Sequence, residues 1–261
     1  MLRQQNKYFV YIGTYTDGKS EGIYGYSIDT ATGKLIPMGV MVKIGSPTYM
    51  KVSKNGKFLY SICRKDIVGN NLCVVDLGMD KIITYNLNHT NEALVNCEKL
   101  SIEISAGSGP RHMEFHPNGK FAYLINELSS DILVFGYSPF GFSFRKIQTI
   151  SALPEGYIEK NYCAAIHISQ GGDFLYASNR GQDSIAVFKI DKLSGCLELI
   201  EHTSTMGEWP RDFAIDPTGK FLIAANQNSD TIVLYEIKGE SGRLKPIESL
   251  YVPNPVCVKF V

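Results

Sequence analysis

Four stretches of this chain repeat one pattern, and the repetition limits the fold more than any other feature. They are TYMKVSKNGKFLYSI (48–62), RHMEFHPNGKFAYLINE (111–127), AAIHISQGGDFLYASNR (164–180) and RDFAIDPTGKFLIAANQ (211–227). Each is a short alternating run, a turn carrying Gly56, Gly119, Gly172 or Gly219, and a second run that opens on Phe. Alternation sends successive side chains to opposite faces of a strand, and glycine supplies the positive φ of a tight turn. A third run follows the later copies, ILVFGY (132–137), SIAVFKI (184–190) and TIVLYEI (231–237). A fourth run is CLELIEH (196–202) or RLKPIES (243–249).

Four strands in about 50 residues are the signature of a propeller blade. The chain opens on YFVYIGTY, GIYGYSID and TGKLIPMG, a blade without its first strand, and VCVKFV (256–261) supplies a strand of that kind. The expected fold is therefore an all-β propeller of four-stranded antiparallel blades, with N- and C-terminal strands closing one blade and leaving no exposed sheet edge. First-strand copies at 48–53, 112–116, 164–168, 211–215 and 256–260 predict five blades in a single domain over 1–261. A β-sandwich or open meander fits the spacing less well. The second blade is irregular. KFLYSIC (57–63) and NLCVVDLG (71–78) both read as a second strand, joined by RKDIVGN, with KIITYNL (81–87) and CEKLSIEI (97–104) as third and fourth.

Composition narrows the partners. Lysine plus arginine and aspartate plus glutamate both number 26, so no global field draws in nucleic acid or an anionic membrane. No apolar stretch approaches membrane-spanning length, and no apolar leader precedes the first strand. Six scattered cysteines (Cys63, Cys73, Cys97, Cys163, Cys196, Cys257) form no CxxC pair, which argues against a disulfide framework or zinc site and for the cytoplasm. Composition and pattern leave the oligomeric state open.

Repeat geometry gathers chemistry at one rim. Arg111 and His112 open a first strand and Glu127 ends the neighbouring second strand, so one hairpin brings all three together. An arginine beside a carboxylate suits anion binding with proton transfer, and equally suits a salt bridge that fixes the hairpin. Arg180 occupies the position equivalent to Glu127, and Arg211 that equivalent to Arg111. Asn126, Asn179 and Asn226 share a further equivalent position, from which they would bind ligand or cap the strand-end loops. Trp209 precedes Pro210 and Arg211 and is placed to stack on a sugar ring or to pack. Asp212 is expected to pair with Arg211. His116, His167 and His202 read as packed structural residues. No metal site or cofactor motif stands out.

Five longer motifs add a family resemblance. GTYTDGKSEGIYGYSIDTATGKL (13–35), SGPRHMEFHPNGKFAYLINELSSDILVF (108–135), SNRGQDSIAVF (178–188), WPRDFAIDPTGKFLIAANQNSDTI (209–232) and PNPVCV (253–258) together resemble the lactonase, seven-bladed propeller family, which includes 6-phosphogluconolactonase-like proteins. The resemblance implies hydrolysis of a small anionic sugar-acid lactone. It places Arg111 and Glu127 at positions lining the active site, Glu127 or His112 as base, and Arg180 and Arg211 on the phosphate or carboxylate. A muconate cycloisomerase-like activity is a variant of the same reading. The chain departs from the family by about two blades. NGKFLYSICR runs directly to LGMDKIITYNL, without the Gly-Pro-His-x-His segment between them, and Ala165 stands where an acidic residue is common. The loss opens the alternative of a non-catalytic binding scaffold.

Overall fold

The computed structural model describes residues 7–16, 19–43, 50–52, 59–61, 66–68, 71–88, 93–96, 101–138 and 143–260. Every regular element among them is a β-strand. β1 (Lys7–Thr14), β2 (Gly22–Asp29) and β3 (Lys34–Lys43) form a sheet with the last strand, β23 (Pro255–Phe260), in the order β23-β1-β2-β3. Thus the two ends of the chain share one blade, with Ile12 opposite Val258.

Three more blades each come from four consecutive strands. They are β11 (Pro110–Phe115) to β14 (Ser143–Ser151) through β12 (Phe121–Asn126) and β13 (Asp131–Ser138); β15 (Tyr162–Ile168) to β18 (Leu197–Ser204) through β16 (Phe174–Arg180) and β17 (Ser184–Ile190); and β19 (Pro210–Ile215) to β22 (Leu244–Tyr251) through β20 (Phe221–Asn226) and β21 (Thr231–Ile237). All pairs are antiparallel hairpins, as short connections require. Gly119 and Gly219 take φ of 69° and 72° in their turns, the role read from the repeat. The equivalent Gly56 lies outside the described residues.

The irregular region departs from expectation. Among the described residues β4 (Met50–Val52) pairs only with β5 (Leu59–Ser61), whereas β6 (Asp66–Val68), β7 (Asn71–Asp76), β8 (Lys81–Asn88) and β10 (Ile102–Glu103) make a fifth sheet of order β10-β8-β7-β6. β9 (Ala93–Asn96) adds to β8. The two candidate second strands therefore belong to different sheets. The Asp-Ile-Val of the expected joining segment is itself a strand, with Ile67 opposite Leu72. The fold is an all-β propeller of four-stranded antiparallel blades.

Two compact units organise the chain: Met1–Cys63, Asp183–Ile185 and Thr203–Val261 in the first, Arg64–Gln182 and Ala186–His202 in the second. The first buries Val10, Ile12, Ile28, Ile223, Leu234 and Val258 in one cluster. The second buries Tyr123, Ile125, Ile166, Leu175 and Phe188. Each fully buried side chain of this size contributes roughly 1.5–3 kcal/mol.

A repeated aspartate latch sets where first strands begin. Asp80, Asp183 and Asp230 follow second strands with φ of 51°, 54° and 55°, a conformation that aspartate tolerates better than most residues. Their carboxylates accept the backbone N–H of Gly109 (2.7 Å), Trp209 (2.8 Å) and Asn254 (2.7 Å). Each of these three precedes a proline that opens a first strand, and each itself has positive φ. At Gly109 a Cβ would meet Leu128 Cγ at 2.6 Å, so only glycine fits.

Candidate active site

The latch and a β-bulge together aim the arginine at the candidate site. In β11–β12, Pro110 faces Asn126 and His112 faces Ile125, so Arg111 is the extra residue of a bulge. An extra residue leaves the ladder and redirects its side chain. Arg111 Nε donates to Glu127 Oε2 at 2.9 Å, and its Nη1 donates to the Ala164 carbonyl at 2.5 Å. Arg180, at the end of β16, donates through Nη2 to the same Glu127 Oε2 at 2.9 Å. Two guanidiniums thus converge on one carboxylate oxygen.

Burial gives that cluster weight. The side chains of Arg111 and Glu127 are 14% and 19% exposed, and that of Arg180 only 5%. Breaking such a pair leaves an uncompensated charge, which costs far more than losing a surface ion pair. Arg180 is further tied by Nε to the Tyr162 carbonyl and by Nη2 to the Cys163 carbonyl, both at 3.1 Å. His112 is buried with its ring nitrogens 3.2 and 3.0 Å from Arg111 Nη1. It therefore packs on the guanidinium. Sequence order placed Arg111, His112, Glu127 and Arg180 near one another, and the structure brings them together.

The three asparagines expected to bind substrate are directed elsewhere. Asn126, Asn179 and Asn226 are completely buried. Asn126 Nδ2 donates to Asp131 Oδ1 (2.7 Å), Asn179 Nδ2 to the Ala152 carbonyl (2.8 Å) and Asn226 Nδ2 to the Thr205 carbonyl (2.9 Å). They cap strand-end loops inside the blades, the alternative left open by the sequence. Loop carbonyls and carboxylates there need donors, and burial leaves ligand no access.

Arg211 and Trp209 belong to the first unit. Arg211 is also a bulge residue, because Pro210 faces Asn226 and Asp212 faces Ala225. Its guanidinium lies 5.2 Å from the centre of the Tyr15 ring, a cation–π contact. Asp212 Oδ2 accepts the Val258 N–H at 3.0 Å, a bond to the closing strand β23. Trp209 is half-buried with φ of 63°, where the matching residues are Gly109 and Asn254.

The histidines read as structural do make packing bonds. His116 Nδ1 accepts the Asn118 N–H at 3.1 Å and its Nε2 lies 2.9 Å from the Gly172 carbonyl, which assigns the proton to Nε2. His202 Nε2 lies 3.0 Å from the Ala152 carbonyl, and burial pushes its pKa down. His167 is different: its Nδ1 is 2.9 Å from Glu114 Oε1, and both side chains reach solvent. Glu114 was not singled out from sequence. Its signal was present, because Arg111 and Glu114 reach partners at the same offset of 53 residues, one repeat. Among the described residues no cluster of His, Cys, Asp and Glu could hold a metal, and no helix is long and apolar enough to cross a membrane.

Comparison with known proteins follows the same plan. The family described as lactonase, 7-bladed beta-propeller, matches residues 9–70 and 64–260. The two matches meet at 64–70, in the irregular region. A 6-phosphogluconolactonase of Bacillus subtilis is 33% identical, covering 98% of this chain and 99% of its own. That alignment runs over 348 positions against a chain of 261 residues, so the relative carries residues with no counterpart here. A putative 6-phosphogluconolactonase from Bacteroides fragilis superposes with a TM-score of 0.88 at 26% identity, covering 98% of both chains. The Pseudomonas aeruginosa periplasmic gluconolactonase superposes with a TM-score of 0.81 at 27% identity, covering 98% of this chain and 99% of that one.

Proposed function

This chain belongs to the lactonase β-propeller family and is a lactone-hydrolysing enzyme, and from that premise we propose that it converts 6-phosphogluconolactone to 6-phosphogluconate at the Arg111–Glu127–Arg180 cluster. The observation that carries the reading is the convergence of two largely buried guanidiniums on Glu127 Oε2. A carboxylate held this way cannot swing, so its second oxygen has a fixed direction toward an attacking water.

Hydrolysis then divides among few groups. Glu127 Oε1 takes the proton of the water as its oxygen adds to the lactone carbonyl. Arg111 stabilises the oxyanion of the tetrahedral intermediate, which collapses by breaking the bond to the ring oxygen. The ring oxygen leaves as a hydroxyl on receiving that proton, and the new carboxylic acid ionises into water. Arg180 braces Glu127, and His112 holds the Arg111 guanidinium from its other side. Cytoplasmic residence accords with the buried Cys163 thiol. Burial pushes the Cys163 thiol up to about 12, so it stays protonated and unreactive.

The test is acid release from 6-phosphogluconolactone above the spontaneous rate. The wild-type protein should accelerate it, and Arg111→Ala should lower kcat by roughly 100-fold, the usual scale for loss of an oxyanion donor. Absence of any excess rate would leave the binding-scaffold reading.

A further inference from the structure

We propose that Glu114 and His167 form a polyol-recognising subsite that selects hydroxylated substrates, a reading that rests on the lactonase assignment and extends it to specificity. The pair bridges β11 and β15, the strands at the ends of their sheets, which pair on one side only. Among the described residues, two side-chain bridges join the strands β11 and β15 themselves, within the second unit. Arg111 reaches the Ala164 carbonyl, and three residues further along both strands Glu114 Oε1 meets His167 Nδ1 at 2.9 Å. A strand advances roughly 3.3 Å per residue and less through the bulges at Arg111 and between Cys163 and Ile166, so the second bridge lies roughly 8 Å from the first along the seam. That is about the reach of a six-carbon sugar acid from one end to the other.

The chemistry at the second bridge suits hydroxyl groups. Glu114 is 36% and His167 29% exposed, unlike the enclosed arginine cluster. Glu114 Oε2 takes no hydrogen bond among the described residues, so the carboxylate has an acceptor to offer. An ionised carboxylate accepts from the hydroxyls of a polyol with charge-assisted strength, and the imidazole fixes its orientation through Oε1. The flanking positions add no competing charge: Tyr123 stands opposite Glu114 and Tyr176 opposite His167, both fully buried. A ligand held by its carboxylate, the former lactone carbonyl, at Arg111 would lay its hydroxyl-bearing carbons along the seam. An unsubstituted chain would gain nothing there.

Calorimetry with two ligands tests this. 6-Phosphogluconate carries both the carboxylate and the hydroxyls, whereas n-hexanoate carries the carboxylate alone. Glu114→Ala and His167→Asn should each weaken 6-phosphogluconate binding by about tenfold, the scale of one lost hydrogen bond to a charged group, and leave hexanoate unchanged. Glu114→Gln should retain part of the affinity, because its amide oxygen still accepts. In turnover, the same variants should raise KM and spare kcat. Equal weakening of both ligands would mean the pair is only structural and would overturn the proposal. So would unaltered 6-phosphogluconate affinity in both variants while Arg111→Ala abolishes binding, an outcome that leaves the lactonase reading standing. Failure of the wild-type protein to bind 6-phosphogluconate or hydrolyse its lactone would overturn both.

Discussion

The hairpins β11–β12 and β19–β20 are built alike and equipped differently. Both begin with proline opposite a buried asparagine, both bulge at an arginine, and both have a glycine turn with φ near 70°. In each the asparagine Nδ2 is bonded inside the blade while its Oδ1 takes no hydrogen bond among the described residues. The turns are held by different chemistry. Asn118 and Lys120 N–H groups go to His116 Nδ1 and Asn118 Oδ1, whereas Asp216 alone accepts from Thr218, Lys220 and Phe221. The decisive difference is one residue past the strand. Glu127 draws Arg111 and Arg180 into an ion cluster; Gln227, at the matching place, has no charge to offer, and Arg211 lies over Tyr15. One scaffold therefore yields a rigid charged centre or a soft cation–π contact, according to a single side chain.

Replacing that side chain is the strongest way to break the comparison. Glu127→Ala should lower lactone turnover at least 100-fold and cost about 3 kcal/mol in urea unfolding, because two guanidiniums stay close together without their counter-charge. Gln227→Ala should cost less than about 1 kcal/mol, as expected away from a buried charge. Equal losses would show that the two hairpins are the same in energy as well as in shape. The reciprocal change, Gln227→Glu, should draw Arg211 from Tyr15 into an ion pair. Its gain should be at most about 1 kcal/mol and should fade in high salt, read from unfolding midpoints at two ionic strengths.

Trp209 sharpens the comparison from the other side. Its left-handed conformation, taken by Gly109 at the start of β11, costs about 1–2 kcal/mol in a residue with a Cβ. Trp209→Gly should relieve that strain against the loss of indole packing, so that thermal stability moves by less than about 1 kcal/mol.

The loops behind the asparagines differ in their response to pH. The Ala152 carbonyl is shared by Asn179 and His202, whereas the Thr205 carbonyl receives Asn226. Burial holds the folded His202 pKa below the ordinary 6.5. Its contribution is therefore complete above pH 6.5, where both folded and unfolded imidazoles are neutral. It is lost as pH falls through the folded pKa, because the unfolded chain takes up the proton first. His202→Gln should flatten that acid-side decline in a series of unfolding curves, and an unchanged decline would remove His202 as its source.

Much of this was legible in the residues. The spacing of Gly119, Gly172 and Gly219 and the phenylalanines after them located the hairpins, and the match of VCVKFV to a first strand located the closure, because strand alternation and turn chemistry act over neighbouring residues. Equivalence between repeats also placed Arg111, Glu127 and Arg180 at one end of their hairpins. What a chain of letters does not carry is which blade face meets which. The Ala164 carbonyl reaching Arg111, the shared use of Glu127 Oε2, the inward turn of the three asparagines and the Glu114–His167 bridge all join residues on different strands, in the bridges a whole repeat apart. The latch aspartates belong here too: each reads as an ordinary turn residue until the next first strand is brought against it. Local pattern decides strand and turn because those energies are local; partners across a seam are decided only when sheets pack and desolvated charges must find the counter-charges within reach.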